Sequence, residues 1–378
     1  MTATIRLLAD DLTGALDTAA EFVGLAGDCP ILAFWHGALP AALPANAALD
    51  SGTRELDATA ARAMVAELTT ALTGATIAYK KIDSLLRGPT LAEAAACFRA
   101  GGWERAVLAP AFPHQGRMTR GGWQHARNAH GNWSPIRDGD IVAGLMAEGV
   151  PVHRGRLDGA LRPGISIFDA ETDAELRRVV ALGRAAPGPV LWIGTGGLAQ
   201  ALAHGAPAEA CGPLPMPLLG LFGSDQAVTA GQLAVCGSDW LQLPDGSARQ
   251  AAALAATLRT KGRVLASLEL PTGLARAEAA IRIAGEFRRL VREMPPPGTL
   301  LVAGGETLRG LCLALDARGL ELQGRIAPGL PRSIVRGGPW DGVTVVSKSG
   351  AFGSPTLLRD LVLGVLPSGP DTEMERTS

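Results

Sequence analysis

Two carboxylates stand side by side at Asp10 and Asp11, directly after the apolar run Ile5–Ala9 and just before Thr13-Gly14. Adjacent acids at the end of a buried strand are costly to desolvate unless a cation or a hydroxyl meets them. A single Asp in such a place is ordinarily a helix cap; two, followed by Thr-Gly, point to a site. Three further stretches supply polar groups. Ser51-Gly52-Thr53-Arg54 follows the run Ala47–Leu49, and an arginine at a strand's C-terminal edge can hold a carboxylate in a two-pronged clamp. Lys80 to Gly88, KKIDSLLRG, sets two lysines, Asp83, Ser84 and Arg87 at another strand end, a cationic edge suited to an anionic substrate. Ala109 to Arg117, APAFPHQGR, is a loop stiffened by prolines and freed at Gly116. Its His114, Gln115 and Arg117 can bond hydroxyls or a carboxylate, and His114 is not read as catalytic.

The second half offers glycine turns in place of charges. Gly223-Ser224, the stretch Ala303-Gly304-Gly305-Glu306-Thr307, and Ser347 to Gly353, SKSGAFG, each follow a short apolar run. Backbone N–H groups and a positive helix end at such junctions can hold phosphate, and Lys348 is a natural phosphate partner. A lone Gly-Gly is usually a turn; three such junctions in one region are harder to dismiss. Trp192 to Gln200, WIGTGGLAQ, has the glycine pattern of a dinucleotide fingerprint, but a proline-rich stretch follows where a second strand and its acid are required. We read it as a tight turn between domains. No G-x-x-x-x-G-K-[ST] and no protein-kinase motif set is present.

These residues need strand ends to stand on. Apolar runs at Ile5–Ala9, Ile31–Phe34, Ala47–Leu49, Thr76–Tyr79, Ala106–Ala109, Ile165–Phe168 and Val190–Ile193 alternate with Ala-rich helical segments. The pattern resumes after Gly205–Gly220, a stretch holding four prolines, with strands at Leu218–Phe222, Val264–Ser267, Leu300–Val302 and Val343–Val346. Alternation of this kind predicts an α/β chain of two domains, 1–210 and 211–378, each with a mostly parallel sheet. Between Pro110 and Pro163 the periodicity breaks, which predicts a long functional loop region.

The motifs LLADDLTGALD at Leu7–Asp17, KKIDSLLRG, APAFPHQGR, AGGET and SKSGAFG resemble those of the four-carbon acid sugar kinase family, across nearly the whole chain. The chain departs from the family pattern at Leu85, where the family has Thr, and at Ala351, where it has Gly; a position needing positive φ would strain an alanine. The resemblance implies an N-terminal sugar-acid domain, a C-terminal nucleotide domain and an active site in the cleft between them. It implies ATP-dependent phosphorylation of a hydroxyl of threonate, erythronate, a 3-oxo-tetronate or a close relative, with Mg²⁺ bridging the phosphates. Arg54, Lys81, Ser84, Arg87, Gln115 and Arg117 would surround the acid. Asp11, or else Asp10 or Asp83, would orient the attacking hydroxyl as base. Ser224, Gly304, Gly305, Glu306, Thr307, Lys348, Ser349 and Gly350 would hold the nucleotide. Two rivals predict different behaviour: an NAD(P)-dependent oxidoreductase using the GTGGLA turn, or a sugar-acid-binding protein without turnover.

Composition narrows the classes further. The formal net charge is -1 over 378 residues, without a basic cluster, and aromatics are 4%, so nucleic acid and membrane surfaces are not expected partners. No apolar run reaches membrane length and no signal-peptide core is seen, so a soluble cytoplasmic protein is expected. Cys29, Cys97, Cys211, Cys236 and Cys312 are scattered, which predicts buried reduced thiols and neither zinc nor disulfides. No cluster is assigned to a resident metal. The particular acid, the hydroxyl phosphorylated and the oligomeric state, homo-oligomer included, stay open at this point.

Overall fold

The computed structural model describes residues 3–365 apart from 38, 129, 207, 211, 224, 225 and 272. The chain divides into two compact units, Met1–Ala208 and Glu209–Ser378.

The first unit holds strands β1 (Ile5–Ala9), β2 (Leu32–Trp35), β3 (Ala47–Asp50), β4 (Ile77–Lys81), β5 (Arg105–Ala109), β6 (Arg117–Arg120), β7 (Trp123–Arg127), β8 (Trp133–Asp140), β9 (Val152–Arg154), β10 (Gly164–Ile167) and β11 (Val190–Gly194). Eight of them form a parallel sheet in the order β2-β3-β1-β4-β11-β5-β10-β9. A parallel sheet must be covered on both faces, so its strands read as short continuous apolar runs. Helices Ala58–Leu68, Thr90–Gly101 and Ile141–Ala147 pack together on one face, and helices Leu12–Glu21, Asp173–Arg184 and Gly196–Leu202 on the other. The predicted loop region is not one: β6, β7 and β8 make a small antiparallel sheet, followed by a helix and β9. Its strands are polar and half-exposed, so the apolar pattern that marks the main sheet is missing there.

The second unit holds β12 (Leu218–Phe222), β13 (Trp240–Leu243), β14 (Arg263–Leu268), β15 (Thr299–Ala303), β16 (Gly319–Ala327), β17 (Leu330–Arg336) and β18 (Thr344–Lys348). Their order is β13-β14-β12-β15-β18-β17-β16, parallel from β13 to β18 and antiparallel beyond. The sequence reading has no strand at 240–243 or 319–336. In the hairpin β16–β17, buried positions alternate with half-buried Glu321, Gln323, Arg325, Arg332 and Arg336, a period-2 signal diluted by charge. Among the described cysteines all four are free; Cys97 and Cys312 are buried as expected, but Cys29 is exposed in the turn before β2 and Cys236 is half-buried. Cys211 lies outside the described residues.

Candidate active site

In the first unit β3, β1 and β4 lie side by side and end at one edge. The connection after β1 enters the helix Leu12–Glu21 on one face, and that after β4 enters Thr90–Gly101 on the other. The strand order reverses between them, the place where open parallel sheets form a crevice for ligands. Asp10 and Asp11 follow β1, Arg54 follows β3, Lys81 ends β4, and Asp83 to Arg87 follow it.

Asp11 caps its helix. Its carboxylate accepts from the Gly14 amide at 2.8 Å and the Thr13 hydroxyl at 2.7 Å. Arg54 donates to the same carboxylate through Nη1 at 2.6 Å and Nη2 at 2.8 Å, and to Asp10 Oδ2 through Nε at 2.7 Å. The turn carrying Arg54 is fixed by the backbone: the Thr53 amide reaches the Asp10 carbonyl at 3.2 Å and Ser51 Oγ reaches that of Ala9 at 2.8 Å. Arg54 is therefore already engaged by two protein carboxylates, and four donors occupy the Asp11 carboxylate, so the expected clamp and base roles would each require a bond made here to be given up. Asp10 Oδ1, by contrast, is buried without a hydrogen-bond partner.

Strand alternation separates the two lysines. Lys80 points under Thr90–Gly101, where its ammonium meets Glu93 Oε2 at 2.7 Å with both side chains fully buried. Lys81 points the other way. Its ammonium donates to the Ile82 carbonyl at 2.9 Å and lies 3.2 Å from where a Cβ on Gly14 would stand, so the glycine leaves room for it. Asp83 accepts from Arg87 Nε at 2.9 Å and Nη2 at 2.7 Å and from two amides of its own turn. Burial pushes Asp10 and Asp83 up, but the cations outweigh it and hold both below the ordinary carboxylate range: Arg54 and Lys81 for Asp10, Arg87, Arg54 and Lys81 for Asp83. Both stay ionised at neutral pH.

Arg117, at the start of β6, is the exception among the arginines. Its Nη1 bonds only the Gln115 and Gly116 carbonyls, its buried Nε has no partner, and among the described residues no carboxylate pairs with it. Burial pushes its pKa down, and Asp83 and Arg87 are the charges that reach it. Three carboxylates, Asp10, Asp11 and Asp83, thus face four cations, Arg54, Lys81, Arg87 and Arg117, leaving one positive charge in excess. Ser84 and Gln115 are half-buried beside them. The sequence reading passes over Gln124. Fully buried on β7, it donates to the Ser84 and Pro110 carbonyls, each at 3.0 Å, and accepts from Thr119 at 2.8 Å, so it ties the turn after β4 to the loop after β5. Only its cross-strand register with Thr119 would mark it as inward-facing.

In the second unit β12, β15 and β18 are neighbours whose ends align: Phe222 pairs with Ala303, and Ala303 with Lys348. Gly223, Gly304 and Ser349–Gly353 therefore stand at one edge, where the strand order again reverses. Gly304 has φ +99, which only glycine adopts easily, and the helix Gly305–Ala314 behind it has no side-chain cap. Glu306 is exposed on its first turn and Thr307 half-exposed. Ser224 lies outside the described residues. Ala351 is not at positive φ, so the departure there causes no backbone strain. Lys348, expected to meet a phosphate, is buried and points inward. Its ammonium donates to Thr229 Oγ1 at 3.0 Å and to the carbonyls of Ser349 at 3.0 Å, Phe352 at 3.2 Å and Gly350 at 3.4 Å. Burial pushes its pKa down to about 8.

The GTGGLA turn has no space for a dinucleotide. A Cβ on Gly197 would fall 2.5 Å from the Ala111 carbonyl, and one on Gly196 would fall 2.7 Å from the Phe112 ring. Thr195 Oγ1 donates to the Ala111 carbonyl at 2.9 Å and Tyr79 seals the turn from below. The glycines let a helix pack against the loop after β5, inside the first unit and not between units, and the oxidoreductase reading loses its only motif.

Residues 5–143 match a family model described as a sugar-binding N-terminal domain, and residues 219–358 one described as a nucleotide-binding C-terminal domain. A D-threonate kinase of Cupriavidus necator is 33% identical over 334 residues, covering 74% of this chain and 78% of that protein. A D-threonate kinase of Bordetella bronchiseptica is 30% identical over 396 residues, covering 94% and 95%. Among solved structures, a protein of Salmonella typhimurium LT2 has the same fold, with a TM-score of 0.71 at 22% identity, covering 93% of this chain and 97% of that one. On these matches and motifs, the chain belongs to the four-carbon acid sugar kinase family.

Proposed function

We propose that this kinase transfers the terminal phosphate of ATP to a hydroxyl of a four-carbon sugar acid, and that D-threonate, the acid in both relatives' names, is the first to test. The observation that carries the reading is Arg117, a half-buried guanidinium with an unsatisfied Nε and, among the described residues, no carboxylate paired with it. A buried donor without an acceptor is costly, and a substrate carboxylate would relieve it. The single excess positive charge of the cluster matches a monocarboxylate. Lys81 would share that role; Ser84 and Gln115 would bond hydroxyls; Arg54 and Arg87 would hold the aspartates in place.

Asp10 Oδ1 is the acceptor best placed to orient the attacking hydroxyl. Its low pKa makes it a weak base, which suits phosphoryl transfer, where positioning and charge neutralisation outweigh proton abstraction. The glycine turns at Gly223, Gly304 and Gly350 and the uncapped helix at Gly305 would receive the phosphates, with Thr307 and Ser349 as side-chain donors. Mg²⁺ carried by the nucleotide would neutralise developing charge, and Glu306, exposed at that helix start, is the carboxylate offered to it.

A coupled assay of ADP release with Mg-ATP, run over D-threonate, erythronate, 3-oxo-tetronates and branched apionate-type acids, tests the proposal. Stimulated turnover with one or a few acids is expected. Uniform background rates with all of them, together with tight acid binding by calorimetry, would instead favour a binding protein without turnover.

A further inference from the structure

The turn after β18 is built in an unusual way. Its carbonyls are gathered to one side by three buried side chains. Lys348 Nζ holds those of Ser349, Gly350 and Phe352. Thr229 Oγ1 accepts from Lys348 at 3.0 Å and donates to the Gly350 carbonyl at 2.7 Å. Gln232 Nε2 donates to the Phe352 carbonyl at 3.1 Å and the Ser354 carbonyl at 2.8 Å. Thr229 and Gln232 lie one turn apart on the helix Ala227–Val235, and neither is exposed to solvent. Among the described residues no carboxylate pairs with Lys348, so its ammonium is neutralised by oxygen dipoles alone.

Peptide dipoles drawn inward by their carbonyls leave their N–H ends on the other side. The Phe352 amide turns back to the Ser349 carbonyl, but among the described residues the amides of Gly350, Ala351 and Gly353 have no acceptor. Gly353 is held at φ +101, and a Cβ there would strike Leu357 at 2.3 Å and Gln232 Nε2 at 3.0 Å. Successive free amides in a turn make an anion-binding concavity.

We propose that Lys348, Thr229 and Gln232 form an internal clasp that turns the Ser349, Gly350, Phe352 and Ser354 carbonyls away from the nucleotide and presents the Gly350, Ala351 and Gly353 amides to a phosphate. All three are positioning residues, acting through the backbone without touching the ligand. The inference rests on the reading of the second unit as the ATP site. It differs from a direct Lys–phosphate contact in making Thr229 and Gln232 as necessary as the lysine.

The test uses the full-length protein with Mg-ATP as titrant. Thr229→Val, Gln232→Met, Lys348→Met and Lys348→Ala should each weaken Mg-ATP binding by roughly tenfold or more, the scale for leaving buried carbonyls unsatisfied. D-threonate affinity should change by less than about twofold, since that site lies in the other unit. Methylammonium should restore part of the loss in Lys348→Ala and none in Thr229→Val. Tetramethylammonium, which has no N–H to donate, should restore neither. In the wild type, saturating Mg-ATP should slow hydrogen exchange at 349–354, a readout independent of whether any variant folds. Wild-type nucleotide affinity in Thr229→Val and Gln232→Met, with loss confined to the Lys348 variants, would put the ammonium on the phosphate and overturn the clasp. So would a wild type that binds Mg-ATP and leaves the 349–354 amides unprotected. A wild type that binds no Mg-ATP at all would overturn the ATP-site reading, and the clasp with it.

Discussion

At the scale of single residues, the site turns on which charges already have partners. Arg54 and Arg87 are paired with aspartates, whereas Arg117 is not. Arg117→Ala should therefore raise KM for the sugar acid by about 10²-fold, a few kcal/mol of lost charge pairing, while KM for ATP stays near wild type. Arg117→Lys should recover only part, because an ammonium cannot reproduce the planar fork. Steady-state kinetics with each substrate varied would show it; an effect on ATP alone would remove Arg117 from the acid's pocket. Asp10→Asn should lower kcat by about 10²-fold or more, in the range for losing a group that handles the reacting proton, while the Asn can still accept from Arg54. Asp11→Asn should act differently, lowering the melting temperature because a helix cap and two arginine bonds weaken together. The sequence shows nearly all of these residues. It cannot show their pairing, because an arginine at a strand end reads the same whether it waits for a ligand or grips a neighbouring aspartate.

At the scale of elements, β4 carries the argument. Its last two residues, Lys80 and Lys81, look alike in sequence and are sent to opposite faces by the pleat. Lys80→Met should destabilise by about 3–5 kcal/mol, since Glu93 would be left buried without its partner. The double variant Lys80→Met, Glu93→Leu should recover most of that loss, and chemical denaturation of the two singles and the double closes the cycle. Gly88 is a second structural dependency. At φ +73, with a Cβ position 2.3 Å from the Arg54 carbonyl, it cannot become Ala without displacing the turn that carries Arg54. Gly88→Ala should lower both melting temperature and kcat, and a variant with native values would show that the two turns are independent. The strands at these site edges could be read from apolar runs alone because parallel strands covered on both faces are continuously apolar. The hairpin β16–β17 and the small sheet β6–β8 could not, since antiparallel strands with one wet face carry charge at alternate positions and imitate loops.

At the scale of the whole molecule, the two units respond to pH in different ways. Asp10 and Asp83 have pKa values depressed on folding, so they stabilise the first unit above the unfolded carboxylate range, about pH 4, and that stabilisation is lost as pH falls through the lower folded values. Lys348 behaves in the opposite way: its folded value of about 8 lies below the ordinary 10.5, so the unfolded chain binds more protons between the two. Stability of the second unit should therefore rise with pH across that window, by an amount on the order of 3 kcal/mol in the limit. Hydrogen exchange resolved by unit at pH 3, 7 and 9, as about three sampling points of these titrations, should show the first unit opening first in acid and the second gaining protection in base. Lys348→Met should flatten the alkaline gain. One further consequence concerns how this chain could change its diet. Asp10, Asp11, Arg54, Asp83 and Arg87 are joined in one circuit of ion pairs, so altering any one of them leaves a partner short of its counter-charge. Drift toward a new acid is therefore channelled through their neutral neighbours Ser84, Leu85 and Gln115. A selection library randomised at those three positions should yield folded enzymes with altered acid preference, whereas one randomised at the circuit should return almost nothing but the wild-type residues.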